Sequence, residues 1–126
     1  MSKLTGLHSS DFIVYFTNTI EELNSTAMNY AKSNDFESGF KILAWCEKVI
    51  STGIYGNYPM LINITFNNIG CAYRRVGQLQ QALDYLEAAL DVLTRTNNQQ
   101  FSSKTYLNLC AVLSQMGKYN CLFLLP

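Results

Sequence analysis

Residues 66–89 read Phe66-x-x-Ile69-Gly70-x-x-Tyr73-x-x-x-Gly77-x-x-x-x-Ala82-x-x-x-Leu86-x-x-Ala89, and this stretch decides the fold. Apolar residues at helical spacing run up to Gly77 and resume beyond it, so the glycine closes one helix before another begins. Gly70 and Ala82 are small enough for the two helices to approach closely, while Phe66, Tyr73 and Leu86 fill the space around the crossing. The stretch is an antiparallel helix hairpin.

Working outward, the same logic predicts five helices. Phe12, Ile13, Phe16, Ile20, Leu23, Ala27 and Tyr30 recur at helical spacing, giving a first helix over about Asp11 to Lys32. Ser9 or Ser10 would cap it, and Asn34, tolerant of left-handed backbone, would end it. A second helix covers Phe36 to Ile50, with Phe36, Phe40, Leu43, Cys46 or Glu47, and Ile50 inward, and Gly53 and Gly56 break it. Proline in the first turn at Asn57-Tyr58-Pro59 starts a third, running to about Val76. Leu79, Ala82, Leu83, Leu86, Ala89, Leu90 and Leu93 define a fourth, and Ser102 or Ser103 would cap a fifth through Met116, closed by Gly117.

Self-comparison extends the hairpin into a repeat. Tyr106, Leu109, Cys110, Leu113, Gly117 and Tyr119 repeat its first helix and turn, and Leu23, Ala27, Tyr30, Asn34, Phe36, Gly39, Leu43 and Cys46 form a more degenerate copy. The pattern resembles the tetratricopeptide repeat at nearly every signature position, although Thr94 stands where that family usually has proline. Asn34 to Gly77 and Gly77 to Gly117 are 43 and 40 residues apart, longer than the family's 34. In this the chain is similar to the long-helix branch exemplified by kinesin light chain. The resemblance implies an all-α, right-handed superhelix of antiparallel helix hairpins, an α-solenoid of about two and a half repeats. The expected organisation is an N-terminal tail and helix extension over 1–19, a degenerate repeat over 20–62, a complete repeat over 63–102 and a truncated one over 103–126. Because the last unit lacks its partner helix, a fragment of a longer chain is expected. The apolar run Cys121, Leu122, Phe123, Leu124 and Leu125 is read as a self-association or aggregation surface.

The family resemblance also implies a non-catalytic protein-binding scaffold, with a partner peptide held on the concave surface lined by the first helix of each hairpin. Asn24, Ser25, Met28 and Lys32 would face it from the first hairpin, Ile64, Asn67, Asn68, Cys71, Arg74 and Arg75 from the second. Lys104, Leu107, Asn108, Ala111, Ser114 and Gln115 would follow from the third. The peptide-binding candidates are Lys32, Asn67, Asn68, Cys71, Arg74, Arg75, Lys104 and Asn108. Asn68 and Asn108 match positions where the family uses asparagine to bond a peptide backbone. Of the family's chaperone-tail clamp only Asn68 and Lys104 are matched, so that ligand is not expected. The set carries four cations and no acid, so an acidic peptide is the expected partner. The alternative reading is a structural spacer or self-association segment of a larger protein.

Other chemistry finds little support. The 126 residues are 48% hydrophobic, enough for a packed core, and nine basic and nine acidic side chains cancel. Arg74-Arg75 is too short for a nucleic-acid patch on a neutral chain. No segment is apolar enough to span a bilayer and no secretory signal is apparent, which points to a cytoplasmic protein with no membrane partner. Cys46, Cys71, Cys110 and Cys121 lack metal-site spacing and are expected to be reduced and packed, and His8 is a poor catalytic base. No enzyme activity, metal or cofactor is expected. Asp84, Glu87 and Asp91 read as a solvated helix face. Asn24-Ser25-Thr26 and Asn63-Ile64-Thr65 match the glycosylation pattern but fall inside helices, where they read as chance matches.

Overall fold

The computed structural model describes residues 9–117. The readings made for His8, Tyr119, Cys121 and the apolar run ending at Leu125 lie outside them. Among the described residues, five α-helices and one 3-10 turn follow in order: α1 (Ser9–Lys32), α2 (Phe36–Ser51), α3 (Pro59–Arg75), α4 (Leu79–Arg95), the turn Gln99–Phe101, and α5 (Ser103–Gln115). Helices α1 and α2 pack as one hairpin and α3 and α4 as the next, while α3 also lies along α1 and α5. This is a short solenoid of stacked hairpins.

The helix ends follow from local chemistry. Asn34 ends α1 in left-handed backbone with φ 64°, and Gly77 separates α3 from α4 at φ 83°. Asp35 starts α2, its carboxylate accepting from the Ser38 backbone N–H at 3.2 Å and from the Ser38 hydroxyl at 2.8 Å. Those bonds hold its carboxyl below the usual range. Pro59 occupies the first turn of α3, where a missing N–H costs nothing.

Of the two predicted serine caps, the first is corrected and the second keeps its place without its bond. Helix α1 already includes Ser9 and Ser10, so neither stands before it. Ser102 stands at the N-cap of α5 as expected, but its hydroxyl donates to the Gln99 carbonyl at 2.6 Å and makes no side-chain cap bond. The reason is the 3-10 turn ahead of it, whose carbonyl is the nearer partner. Asn97, at φ 59°, makes the left-handed break after α4 that the sequence left inside a polar stretch.

The core runs along the hairpin crossings. Ile20, Cys46, Ile50 and Leu61 bury together at one end, Ala27, Leu43, Ile69 and Ala72 in the middle, and Ala82, Leu86, Leu109 and Val112 beyond. A Cβ on Gly70 would stand 2.7 Å from Leu86 Cγ and 3.3 Å from the Ala82 carbonyl oxygen. In the first hairpin the roles exchange: a Cβ on Gly39 would lie 2.9 Å from the Ala27 carbonyl oxygen. Each crossing thus carries one glycine and one alanine, on opposite helices.

The apolar residues that recur along α1 do not all face inward. Ile13 is 47% and Tyr30 42% exposed, whereas polar Asn24 is 2% exposed among the core residues. A buried amide survives there only because it is bonded. The rings of Phe66, Tyr73, Tyr85 and Tyr106 are half-buried, with Phe66, Tyr73 and Tyr85 packed against the middle core cluster. Of the described cysteines, Cys46 and Cys110 are buried and Cys71 is half-buried.

Candidate peptide groove along the first helices

Helices α1, α3 and α5 lie side by side, and the interface between neighbours is polar at its centre. Asn24 on α1 donates to Thr65 Oγ1 on α3 at 3.0 Å and accepts from Asn68 Nδ2 at 2.8 Å. One step further along, Asn67 on α3 donates to Thr105 Oγ1 on α5 at 2.9 Å and accepts from Asn108 Nδ2 at 3.3 Å. The same three groups thus recur at both junctions. Asn63 joins the second set, donating to the Ala89 carbonyl at 2.8 Å and accepting from Asn67 at 3.0 Å. These bonds explain how five polar side chains, Asn24, Asn63, Thr65, Asn67 and Thr105, stay buried. They also occupy Asn24 and Asn63, whose burial excludes a glycan on the folded chain. At the third position of the series, where Asn24 and Asn67 stand on the earlier helices, α5 carries Leu107, 67% exposed.

Beside the first junction lies an open hollow of about 410 Å³, bounded by Glu21, Asn24, Ser25, Met28, Asn29, Lys32, Ile64, Asn68 and Lys104. Of the residues expected to meet a peptide, Lys32, Asn68 and Lys104 come together here. Asn67 does not: at 2% exposed it is an interior bonding group, so its assignment to the peptide surface is corrected. Asn108 is half-buried and bonded to Asn67. Arg74 reaches α5, its Nη1 donating to Gln115 Oε1 at 3.1 Å, while its buried Nε has no hydrogen-bond partner among the described residues. Cys71 lies in the field of Arg74, Lys104 and Arg75. Burial raises its thiol pKa and those three charges pull it partly back.

Two features escaped the sequence reading. Glu21 borders the hollow, so the surface does contain an acid. Extending the stripe Ser25, Met28, Lys32 one turn back along α1 would have found it. The threonines were the other omission; Thr65 and Thr105, like Asn68 and Asn108, are 40 residues apart, a coincidence visible in the sequence.

Residues 64–101, spanning most of α3, all of α4 and the 3-10 turn, match the family model described as a tetratricopeptide repeat. This stretch is similar to a tetratricopeptide repeat. No curated protein and no solved structure matches the chain significantly. Within the repeat, α3 and α4 are the two helices of the unit, and Gly70 and Ala82 are its close crossing. Tetratricopeptide repeats generally mediate protein–protein contacts and are generally non-catalytic, so the likeness suggests a protein-interaction role. Among the described residues no helix is long and apolar enough to cross a membrane, and no three His, Cys, Asp or Glu side chains are grouped to hold a metal ion.

Proposed function

We propose that the chain is a non-catalytic protein-interaction scaffold that holds an extended peptide of a partner protein along α1, α3 and α5. The observation that carries this reading is the amide of Asn68. One of its N–H groups is spent on Asn24, while its Oδ1 has no partner among the described residues and Asn68 borders the open hollow. An extended peptide presents unpaired N–H and C=O groups, which a side-chain amide can meet in both senses.

Charge refines the reading. Lys32 and Lys104 border the hollow with Glu21, and Arg75 is exposed further along α3. An acidic peptide is therefore favoured where its carboxylates fall near Lys104 and Arg75, and disfavoured near Glu21. Exposed pairs contribute about 0.2–1 kcal/mol each and weaken with salt, so the preference is modest.

Calorimetric titration of acidic and neutral peptides at low and high salt tests this, with Lys104→Gln and Glu21→Gln alongside. The acidic peptide should bind more tightly, lose its advantage in Lys104→Gln and gain in Glu21→Gln. Absence of binding by either peptide would leave the chain as a structural spacer or self-association segment of a larger protein.

A further inference from the structure

On the other side of α3 is a second open hollow, of about 420 Å³, within the ~300–1,000 Å³ of small-ligand clefts. Ile64, beside the first hollow, and Tyr73, beside the second, are nine residues apart on one helix and so point about 180° apart. Phe40, Ala44 and Glu47 of α2 form one wall, Tyr85 of α4 with Gln78 the other, and Tyr73 and buried Ile69 of α3 the floor. The Phe40 and Tyr73 ring centroids are 4.7 Å apart, and those of Tyr73 and Tyr85 are 5.8 Å apart and stacked.

One charged group belongs to this aromatic wall. The Tyr85 hydroxyl donates between the two oxygens of Glu47, at 2.9 and 3.2 Å. Glu47 makes no ion pair: the salt bridges among the described residues are Lys41 with Glu37 and Arg95 with Asp91. Lys48 borders a neighbouring hollow with Glu47 but lies outside ion-pair distance of it. A half-buried carboxylate without a cation, set among electron-rich ring faces, is complementary to a flat organic cation.

We propose that this crease binds the guanidinium of an arginine side chain from a partner protein, stacked on the Tyr73 and Tyr85 rings and paired with Glu47. This surface is separate from the groove along α1, α3 and α5 and does not depend on it. Arginine fits better than lysine because its planar head can stack on a ring and meet a carboxylate with two parallel N–H groups. Burial, reinforced by Glu47, pushes the Tyr85 phenol up to about 12, so it remains a donor that holds the carboxylate in place at neutral pH.

The test is an NMR titration of the whole chain with N-acetyl-arginine amide, using N-acetyl-citrulline amide as the uncharged control of the same shape. Backbone amides around Phe40, Glu47, Tyr73 and Tyr85 should shift saturably, with arginine bound about five- to tenfold more tightly than citrulline. Glu47→Gln keeps an acceptor for Tyr85 and should abolish that difference. Phe40→Leu, which keeps apolar bulk, should weaken arginine binding while leaving Glu47 in place. Unchanged thermal melts for both variants would show that the effect is local. Equal binding of arginine and citrulline, shifts spread over other surfaces, or an unchanged preference in a folded Glu47→Gln variant would overturn the proposal.

Discussion

A Cβ on Gly70 would stand 2.7 Å from Leu86 Cγ, closer than side chains tolerate. Helix propensity and packing therefore oppose one another at this residue. Alanine is the better helix former by about 1 kcal/mol, but the atom in the way is the branch point of Leu86 and not its flexible tip. Packing wins, and Gly70→Ala should lower stability despite its propensity. Gly70→Leu should cost more, upward of about 1–3 kcal/mol. Each lost kcal/mol corresponds to about 4 °C in Tm for a chain of this size. A Gly70→Ala melt at or above the wild-type temperature would contradict the close crossing.

Asn67 bonds with Asn63, Thr105 and Asn108, and all but Asn108 are buried. Asn67→Leu has similar bulk but strands their polar atoms. Unmet buried groups cost about 1–3 kcal/mol each, so a loss of several kcal/mol is expected in urea unfolding. Ser25→Leu, on an exposed site of α1, should change stability little. Equal midpoints for wild type and Asn67→Leu would mean that the amide relay contributes nothing.

Stability should fall more steeply with alkaline pH in the chain than in a Tyr85→Phe variant, which lacks the phenol but starts lower for loss of its bond to Glu47. Burial pushes Tyr85 from 10.0 up to about 12 and Cys46 from 9.0 up to about 11. Both groups are neutral when protonated, and the folded state keeps its protons to higher pH than the unfolded chain. Their stabilising effect is complete below the unfolded values and is lost as pH rises, from 9.0 for Cys46 and from 10.0 for Tyr85. Melts recorded from neutral to alkaline pH should decline above pH 9.0, less steeply in Tyr85→Phe. Parallel curves for the two proteins would remove Tyr85 from this account.

Cys71 should be the thiol that iodoacetamide reaches in the folded state, because Cys46 is fully buried and Cys110 nearly so. With Cys121 replaced by serine, mass spectrometry should find a single slow alkylation until denaturant is added. Arg74 is the strongest of the charges that lower the Cys71 pKa, so Arg74→Gln should slow the reaction further. Faster labelling in that variant would show that Arg74 shields the sulfur sterically and does not activate it.

The fold was legible because its determinants are local and periodic. Small residues at the crossing, Gly77 and Asn34 in left-handed backbone and Pro59 in a first turn each act within a few residues, and all appear where the spacing put them. The candidate site was read less well. An asparagine on a helix looks the same in one dimension whether it faces a groove or a neighbouring helix. Asn67 and Asn68 are adjacent in sequence, yet the first is enclosed by α5 and the second borders the hollow. Only the packing of α3 between α1 and α5 distinguishes them. The arginine crease was hidden for a similar reason, since Phe40, Glu47, Tyr73 and Tyr85 meet across three helices.

The change from Asn24 and Asn67 to Leu107 has a consequence for modular engineering. Each junction between hairpins works as an address, written in amides and hydroxyls twice and then in an aliphatic side chain. A hairpin cut from the second position and pasted beyond α5 would bring groups that seek an amide to a place offering only methyls. The units are thus ordered rather than interchangeable, and arrays built from this chain should assemble in one sequence of modules while shuffled versions lose cooperativity. Restoring asparagine at Leu107 would rewrite that address and make the second hairpin acceptable as its own successor.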